Sequence, residues 1–342
     1  MSQLSNPPDV AFFARVRTPK LLDLLEFYTE DLAALRDAGL TVEVHTRLRT
    51  VLRCRAPMLF AWWWTTSMPA ALVWKVTGRK VIVTGAHSRE AVGLHLKRRH
   101  LRALFTEVAV RLADCNIAIS ETEARFLKKK RGVIVETIPC AVDTEFFRPR
   151  GQSRDPLVAL CIAQVNPLSI ERKGLDLAVE AARLVAEAVP GYQLHVVGPV
   201  SAVSEAWTKQ FSLPPTAVVF LGEVDRNAKR DALATASVYV QPSRYEGFGL
   251  AVAEAMAAGL PVIHTGAGAL QEVVGEAGVQ TSQNAASVAE AMVRLHHSEQ
   301  ERLALGAAAR RRAELHYSGA RRRSLVGGLA LKLLGRGQVD AL

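Results

Sequence analysis

The sequence has little cysteine, and the cysteines it has form no recognisable pattern. Four occur among 342 residues, with no CxxC pair and no histidine cluster near any of them. They are Cys54, Cys115, Cys140 and Cys161. This scatter excludes a disulfide scaffold and argues against a zinc module, so we expect four reduced thiols in the core of a cytoplasmic protein.

Long apolar runs are scarce in the sequence, so we expect neither a secretory leader nor a transmembrane segment. Its first residues, MSQLSNPPDV, are polar and contain no apolar leader run. Residues 56–74, APMLFAWWWTTSMPAALVW, are uncharged and nearly long enough to span a bilayer. Two prolines and a Thr-Thr-Ser centre would make a poor spanning helix. We therefore interpret the segment as a buried strand, MLFAWWW, a turn, and a helix opened by SMPAALVWKV.

Acidic residues are in deficit, and this deficit points to an anionic partner. The chain has 33 acidic and 43 basic residues, a net charge of +10, with basic clusters at residues 97–102 and 128–131. Phosphates, nucleic acid or an anionic membrane would fit this charge. No nucleic-acid recognition motif accompanies it, so we expect no nucleic-acid partner. A basic amphipathic face can lie on anionic lipid at the inner face of the cell membrane, and a solvated positive surface explains the clusters equally well.

Neither a fixed-period repeat nor a low-complexity tract is present; short β-rich runs alternate with helical patterns instead. VAFFARV, TVEVHT, MLFAWWW, KVIVTGAH and CNIAIS form one series, and LVALCIAQV, YQLHVVG, VVFLGEV, ASVYVQPS and LPVIHTG form a second. Such alternation predicts parallel sheets covered by helices on both faces. We predict an α/β fold with two Rossmann-like, doubly wound parallel-sheet domains that face each other across a cleft.

The two series are separated by a polar stretch flanked by proline, FFRPRGQSRDP. We place an N-terminal domain at residues 1–153 and a second domain at residues 154–318. Residues 319–342 carry one more helix with no strand left to pair, and we expect this helix to cross back to the N-terminal domain.

The string SRYEGFGLAVAEAMAAGLPV carries the chemistry that we consider most informative. It places Glu246 and Glu254 on either side of a glycine turn that follows a strand and opens a helix. Unpaired amides at such a helix start suit a phosphate, and the glycines let a ligand approach the backbone. Carboxylates beside a phosphate are best used to accept hydrogen bonds from sugar hydroxyls. Together these features predict a nucleotide-sugar site.

If the two glutamates stood alone, no functional site would be needed to explain them. Glu254 could be a solvated helix residue, and Glu246 could interact with the positive end of the helix dipole. The surrounding string is more specific. PSRYEGFGLAVAEAMAAGLPVIHTGAGALQEVV resembles the signature of the GT-B retaining glycosyltransferases of family 4, which carry an E-x7-E pattern. ERKGLDLAVEAARLVAEAVPGYQLHVVG and VVFLGEVDRNAKRDALATASVYVQPS resemble further segments of that family in the same order. The resemblance runs from about residue 21 to residue 317 and is strongest in the second half.

The resemblance implies a donor-binding role for the E-x7-E string. Glu254 would hold the ribose hydroxyls and Glu246 the hydroxyls of the donor sugar. The backbone amides of four consecutive residues would cradle the β-phosphate. These residues are Gly247, Phe248, Gly249 and Leu250.

The resemblance also implies residues that act on the reacting groups. Lys173 would neutralise the diphosphate as it leaves. His87 would face the donor sugar, and the loop around Val224 would contact the base. No metal and no other cofactor is implied, because cationic side chains and a helix dipole would take the metal's role. The sequence contains no Asp-x-Asp motif.

Two departures from the family pattern bear on catalysis. The family usually has an arginine several residues before the lysine, where this sequence has Gln164 or Asn166 in CIAQVNPLSIERKG. We expect Arg172 to supply the missing charge. The glycine pair of the N-terminal phosphate loop is also absent. RVRTPKLLDLLEF replaces it, with basic residues that could meet phosphates instead. These are Arg15, Arg17 and Lys20.

The resemblance therefore implies a metal-independent, retaining transfer of a hexosyl unit from a UDP- or GDP-sugar. The acceptor would be a hydroxyl group of a glycan, a lipid-linked or a small-molecule substrate, entering from the N-terminal domain. A catalytically weak, nucleotide-sugar-binding partner subunit is one alternative, motivated by the two departures. A GT-B epimerase or hydrolase of nucleotide sugars is another.

Overall fold

The computed structural model describes residues 7–86, 99–129, 132–151, 153–208 and 217–337. The chain divides into two compact units. Unit 1 comprises Met1–Ala141 together with Gly319–Leu342, and unit 2 is the continuous stretch Val142–Ser318.

Unit 1 is built on a six-stranded parallel sheet with the strand order β2-β1-β3-β4-β5-β6. Its elements up to residue 137 are β1 (Val10–Ala14), α1 (Leu21–Leu24), α2 (Glu26–Asp37), β2 (Val42–His45), α3 (Leu48–Val51), β3 (Met58–Trp62), α4 (Trp64–Val76), β4 (Lys80–Thr84), α5 (Arg99–Leu112), β5 (Cys115–Ala118), α6 (Glu121–Lys128) and β6 (Val135–Thr137). Neighbouring strands pair in register, for example Phe12 with Phe60.

Strand β1 shows that this sheet is buried on both faces. All five of its residues are buried. Phe13 lies in a core cluster with Trp74 of α4, whereas Phe12 lies in a second cluster with Leu35 of α2. Successive side chains of a strand point to opposite faces, so helices cover both sides of the sheet.

Residues 56–74 fold as a strand and a helix, but the boundary between the two was predicted wrongly. Strand β3 ends at Trp62 and α4 begins at Trp64, whereas the sequence placed Trp63 and Trp64 in the strand and the helix start near Ser67. Trp63 has a positive φ of 74°, and its amide donates to Thr84 O (2.7 Å), which ends the strand pairing. Within the described ranges, no helix combines the length and apolar character needed to cross a bilayer.

Unit 2 contains a second six-stranded parallel sheet with the order β12-β11-β10-β7-β8-β9. Its elements are β7 (Asp155–Ile162), α7 (Pro167–Lys173), α8 (Leu175–Ala188), β8 (Gln193–Val197), α9 (Ala202–Thr208), β9 (Val218–Gly222), α10 (Arg226–Thr235), β10 (Ala236–Gln241), α11 (Leu250–Ala257), β11 (Val262–His264), α12 (Leu270–Val274), β12 (Gly278–Gln280), α13 (Ala285–His297) and α14 (Glu299–Tyr317). The two parallel sheets confirm the predicted α/β class with doubly wound architecture.

The strand order of unit 2 reverses between β7 and β10. From β7 the chain proceeds to β8 and β9 on one side, and β10 leads to β11 and β12 on the other. In an open parallel sheet, ligands bind outside the carboxyl ends of the strands at such a switch point. The segments that follow β7 and β10 are residues 163–174 and 242–250, which include most of the predicted site residues.

The last helix, α15 (Gly319–Leu333), belongs to unit 1 and packs against α2. Arg322 of α15 is buried and forms a bidentate pair with the buried Asp31 of α2 (Nε–Oδ1 2.8 Å, Nη2–Oδ2 3.0 Å). The Arg322 Nη1 group also donates to the carbonyls of Ile138 (3.0 Å) and Pro139 (2.7 Å). One guanidinium thus ties three segments of unit 1 together.

Candidate active site

The junction of α7 and α8 brings two cationic side chains to the switch point of unit 2. Helix α7 begins after Asn166, whose side chain accepts a hydrogen bond from Ser169 N (2.9 Å), and it ends with Arg172 and Lys173. Gly174 then adopts a left-handed φ of 64°, and a Cβ there would lie 1.9 Å from Pro242 O. Glycine is therefore required for the close contact between this junction and the segment after β10.

The loop after β10 is fastened to the same junction. The amides of Arg244 (2.9 Å) and Tyr245 (3.2 Å) donate to Arg172 O. The Arg244 guanidinium forms a bidentate pair with Asp176 of α8 (2.8 and 2.6 Å) and donates to Glu171 O (2.8 Å). These contacts fix the position of the loop relative to α7, and hence the position of the next residue, Glu246.

The Glu246 carboxylate lies between the two cations at the end of α7. Its Oε1 is 3.5 Å from Arg172 Nη1 and its Oε2 is 3.4 Å from Lys173 Nζ. Glu246 is 8% exposed, and its Oε2 has no hydrogen-bond partner among the described residues. Buried polar atoms are normally paired, so this oxygen is available to accept a hydrogen bond from a ligand. The predicted residues Glu246, Lys173 and Arg172 thus lie together in one cluster.

Helix α11 begins directly after this cluster. Gly249, with φ of 96°, precedes its first residue, Leu250, and no side chain in the described part of the chain caps the helix start. On the other side of the loop, Gly268 has φ of 64°, and a Cβ there would lie 2.1 Å from Glu246 O. The predicted amides of residues 247–250 therefore sit between Glu246 and the positive end of a helix dipole.

Phe248, by contrast, points into the core rather than toward a ligand. It is 4% exposed and packs edge-on against Tyr317 of α14, with ring centroids 5.4 Å apart. Its backbone amide belongs to the loop, while its side chain anchors the loop. The predicted backbone role and the observed side-chain packing are compatible.

The second glutamate has a basic partner that the sequence analysis did not identify. Glu254 of α11 is 7% exposed, and its Oε1 lies 2.5 Å from Lys229 Nζ of α10. Val224 is half-buried in the loop that joins β9 to α10, one residue before Asp225, the N-cap of that helix. Helix α10 therefore connects the predicted base loop to the predicted ribose carboxylate. Lys229 is the fourth residue of α10, and nothing in the sequence indicated that it would pair with Glu254.

A chain of buried hydrogen bonds connects β10 to the start of the loop that carries Glu246. Tyr239 OH donates to Gln241 Oε1 (2.8 Å), and Gln241 Nε2 donates to Ser243 Oγ (2.9 Å). His264, at the end of β11, is fully buried and its Nδ1 accepts from Gly266 N (3.1 Å). Burial lowers the pKa of His264 to about 4. At neutral pH the imidazole is uncharged and serves as an acceptor for the backbone.

Other predicted residues lie elsewhere. His87 falls outside the described residues. Arg15, Arg17 and Lys20 are exposed residues of unit 1 between β1 and α1. In unit 2, Gln164 is exposed and Asn166 caps α7, so neither occupies the cluster around Glu246. Arg172 is the arginine that the structure brings to this carboxylate.

Each unit contains a doubly wound parallel sheet, as in the GT-B glycosyltransferase fold. Residues 8–146 match the family model described as Glycosyltransferase Family 4, and residues 156–298 match the model described as Glycosyl transferases group 1. The chain belongs to the family 4 glycosyltransferases, as the E-x7-E string predicted.

Curated relatives carry names from the same class. An MMP alpha-(1->4)-mannosyltransferase of Mycolicibacterium hassiacum is 34% identical over 185 residues, which are 52% of this chain and 44% of that protein. A GDP-mannose-dependent monoacylated alpha-(1-6)-phosphatidylinositol monomannoside mannosyltransferase of Corynebacterium glutamicum is 29% identical over 286 residues, which are 75% of this chain and 72% of that protein. The matched part of the first relative is thus less than half of its length.

Solved structures show the same fold. A sucrose-phosphate synthase from Thermosynechococcus elongatus superimposes with a TM-score of 0.75 at 19% identity, covering 96% of this chain and 99% of that one. An Anabaena protein crystallised with UDP and glucose superimposes with a TM-score of 0.70 at 17% identity, again covering 96% and 99%. At these identities the similarity concerns the fold alone.

Proposed function

We propose that this chain transfers a hexosyl unit from a nucleoside-diphosphate sugar to an acceptor hydroxyl, with retention of the anomeric configuration. The observation that carries this proposal is the Glu246 carboxylate between two cations at the start of α11. A sugar hydroxyl can donate to Glu246 Oε2, while a diphosphate can lie against the cations and the helix amides.

The charges of this cluster favour the departure of a diphosphate. Arg172 and Lys173 carry two positive charges against one negative charge on Glu246. As the bond between the sugar C1 and the phosphate oxygen breaks, negative charge accumulates on the diphosphate, and the excess positive charge stabilises it. Cationic side chains and a helix dipole at this position would make a divalent metal unnecessary for the transfer, which activity in EDTA would test.

The nucleoside would be held by the second glutamate. Glu254 would accept hydrogen bonds from the ribose hydroxyls, with its carboxylate oriented by Lys229. The loop at Val224 would contact the base through backbone groups. The acceptor oxygen would bond to C1 on the face that the diphosphate leaves, and its proton would pass to the departing phosphate oxygen. His87 stays the predicted residue facing the donor sugar.

GDP-mannose is the first donor to test. Mannosyltransferases recur among the curated relatives, and one of their names specifies GDP-mannose. The experiment is a thermal-shift panel of GDP, UDP and their common sugars in EDTA, followed by turnover measured as nucleoside-diphosphate release. A ligand that binds only the folded chain raises the unfolding midpoint. We expect a shift with one nucleotide class, and no shift with any nucleotide would contradict the donor-site assignment.

Variants separate binding from chemistry. We expect Glu254→Ala to abolish the shift, while Glu276→Ala, at an exposed position of the same unit, retains it. Arg172→Ala and Lys173→Ala should each lower kcat by a factor on the order of 10²–10³, because each removes a charge that stabilises the leaving group. Equal kcat in wild type and both variants would contradict the leaving-group role.

The alternatives give different outcomes in the same assays. A catalytically weak partner subunit would bind the nucleotide without turnover under any acceptor condition. A hydrolase would release the nucleoside diphosphate without an acceptor, and an epimerase would convert the donor sugar without releasing it. Acceptor-dependent release is the outcome expected for a transferase.

A lipid-linked acceptor and contact with an anionic membrane are part of this proposal. In unit 1, Leu101 and Leu104 of α5 are 57% and 56% exposed, and Phe126 of α6 and Ile134 are 42% and 61% exposed. Arg102 and Lys128 are exposed nearby in sequence; residues 97, 98, 130 and 131 lie outside the described ranges. Exposed apolar side chains among basic ones suit an anionic lipid surface.

Vesicle sedimentation tests this membrane contact. We expect binding to phosphatidylglycerol vesicles that exceeds binding to phosphatidylcholine and weakens with salt. Leu101→Asp with Leu104→Asp should reduce it, and Leu303→Asp, at a 64% exposed position of α14, should not. Equal vesicle binding by all variants would contradict the proposal that Leu101 and Leu104 contact the membrane.

A further inference from the structure

Three potential metal ligands meet beside the edge strand of unit 1. Glu43 and His45 are two residues apart on β2, so their side chains lie on the same face of the strand. The chain then turns through α3 and brings Cys54 back to them. One potential ligand atom from each of the three side chains lies within 4.8 Å of the other two. The described part of the chain contains no other such group of three or more His, Cys, Asp or Glu side chains.

Both measured separations from the Glu43 carboxylate are close to those of ligands around one small cation, and the His45 and Cys54 ligand atoms lie within 4.8 Å of each other. His45 Nε2 lies 3.5 Å from Glu43 Oε1, and Cys54 Sγ lies 3.5 Å from Glu43 Oε2. Ligand atoms at the corners of a zinc tetrahedron, with bonds of roughly 2.0–2.3 Å, are about 3.3–3.8 Å apart. Small movements of flexible side chains would therefore suffice to close the site around a metal.

The imidazole of His45 gives an independent reason to expect a ligand. His45 is 4% exposed, and its Nε2 makes no hydrogen bond among the described residues, although the Glu43 carboxylate lies 3.5 Å away. Buried polar atoms are nearly always paired, because an unpaired one has lost its hydrogen bonds to water without a replacement. A metal ion at the centre of the three side chains would bond this nitrogen directly.

Hydrogen bonds to backbone carbonyls hold the segment that carries Cys54. Arg79 donates to the carbonyls of Cys54 (3.0 Å) and Ala56 (3.4 Å), and its guanidinium lies 4.0 Å from the centroid of the Trp74 ring. The thiol projects from this hydrogen-bonded segment toward Glu43 of β2. The Glu43 side chain is 53% exposed, which leaves the outer side of the group open to water.

We propose that Glu43, His45 and Cys54 form a zinc site that is completed by a water molecule. Imidazole, thiolate and carboxylate are the ligands that Zn²⁺ prefers, and three protein ligands with an open fourth position leave it accessible to solvent. On binding, the Cys54 thiol releases its proton to solvent as the sulfur–zinc bond forms. The site belongs to unit 1, whereas the proposed donor residues belong to unit 2.

The sequence predicted Cys54 to be a reduced, buried thiol, and the structure agrees; the proposed zinc site would add a ligand role that the sequence did not predict. His45 precedes Cys54 by nine residues, a wider spacing than the closely spaced cysteines and histidines of common zinc motifs. Only the turn through α3 brings the two together. A strand bearing an E-x-H pattern beside a later cysteine is the weak signal that was present.

Metal titration of the whole chain tests the proposal. Protein freed of metal with EDTA and transferred to chelator-free buffer is titrated with Zn²⁺ against a chromophoric competitor, and with Co²⁺ as a spectroscopic substitute. We expect one zinc per chain, a higher unfolding midpoint with zinc, and a thiolate-to-cobalt charge-transfer band. Cys54→Ala and His45→Gln should lower zinc affinity by more than the roughly 10–100-fold that follows loss of an outer-shell partner.

Cys115→Ala is the matched control, because it removes another buried cysteine of unit 1 outside the group. It should retain both the cobalt band and zinc affinity. Absence of a thiolate band in the wild type, or its persistence in Cys54→Ala, would overturn the proposal. The wild-type spectrum alone decides the matter if a variant does not fold, as judged by circular dichroism.

Discussion

Replacing Arg322 by methionine tests the buried link between α15 and the rest of unit 1. The change removes two hydrogen bonds to Asp31 and the donor for two carbonyl groups. Asp31, which is fully buried, would then retain a hydrogen bond from Trp62 Nε1 (3.0 Å) but lose its counter-charge. Breaking a buried ion pair in this way costs about 3–5 kcal/mol, because a charge is left uncompensated in the interior.

Urea unfolding followed by tryptophan fluorescence measures this cost. Four of the five tryptophans lie in unit 1, so the signal reports mainly on that unit. The double variant Asp31→Asn/Arg322→Met should recover about 2 kcal/mol of the loss, because the neutral amide can still accept from Trp62. Arg323→Met, which removes a partly exposed pair with Glu30 (2.7 Å), should cost at most about 1 kcal/mol. The reasoning is refuted if Arg322→Met costs no more than this control, or if the double variant is less stable than the single one.

Three further predictions concern unit 2. Burial lowers the pKa of His264 from an ordinary 6.5 to about 4, so the unfolded chain takes up a proton first and the fold loses stability as pH falls through that window. Between about pH 7 and about pH 4, the free energy of unfolding of His264→Asn should therefore rise by about 3 kcal/mol relative to that of the wild type. Urea titration at each pH measures this difference. Gly268→Ala should lower both nucleotide binding and stability, because its Cβ would lie 2.1 Å from Glu246 O. Gly151→Ala is the control: it has a similar φ of 70° and no described atom within 4 Å of its Cβ, so it should cost about 1 kcal/mol of stability without affecting binding. Equal effects of the two variants would contradict the steric argument. Asn166→Ala should cost about 1 kcal/mol by removing the cap of α7, and Asn166→Asp should restore it in the same unfolding assay.

Local patterns were sufficient to predict the parallel sheets, because a strand buried on both faces is apolar along its whole length, as VAFFA in β1 is. They did not predict where β3 ends. That boundary depends on the Trp63 amide, which pairs with a neighbouring strand more than twenty residues away. Sequence propensity contains no information on such a contact.

In the candidate site, too, contacts between sequence neighbours could be predicted, whereas contacts between distant residues could not. The neighbours Arg172 and Lys173 could be predicted to act together, because both end one short helix. The partner of Glu254 could not, because Lys229 reaches it from another helix, 25 residues earlier in the chain. The grouping of His45 with Cys54 also depends on a turn whose geometry the sequence does not specify.

The participation of α15 in unit 1 has a consequence for the order in which the protein can form during synthesis. Unit 2 interrupts unit 1 in the chain, and its two ends lie side by side, since Val142 N donates to Tyr317 O (2.8 Å). Asp31 and Arg322 are 291 residues apart. At a translation rate of about 5–20 residues per second, Asp31 waits roughly 15–60 s for its partner. The inserted middle of the chain can therefore finish folding before the part that was made first.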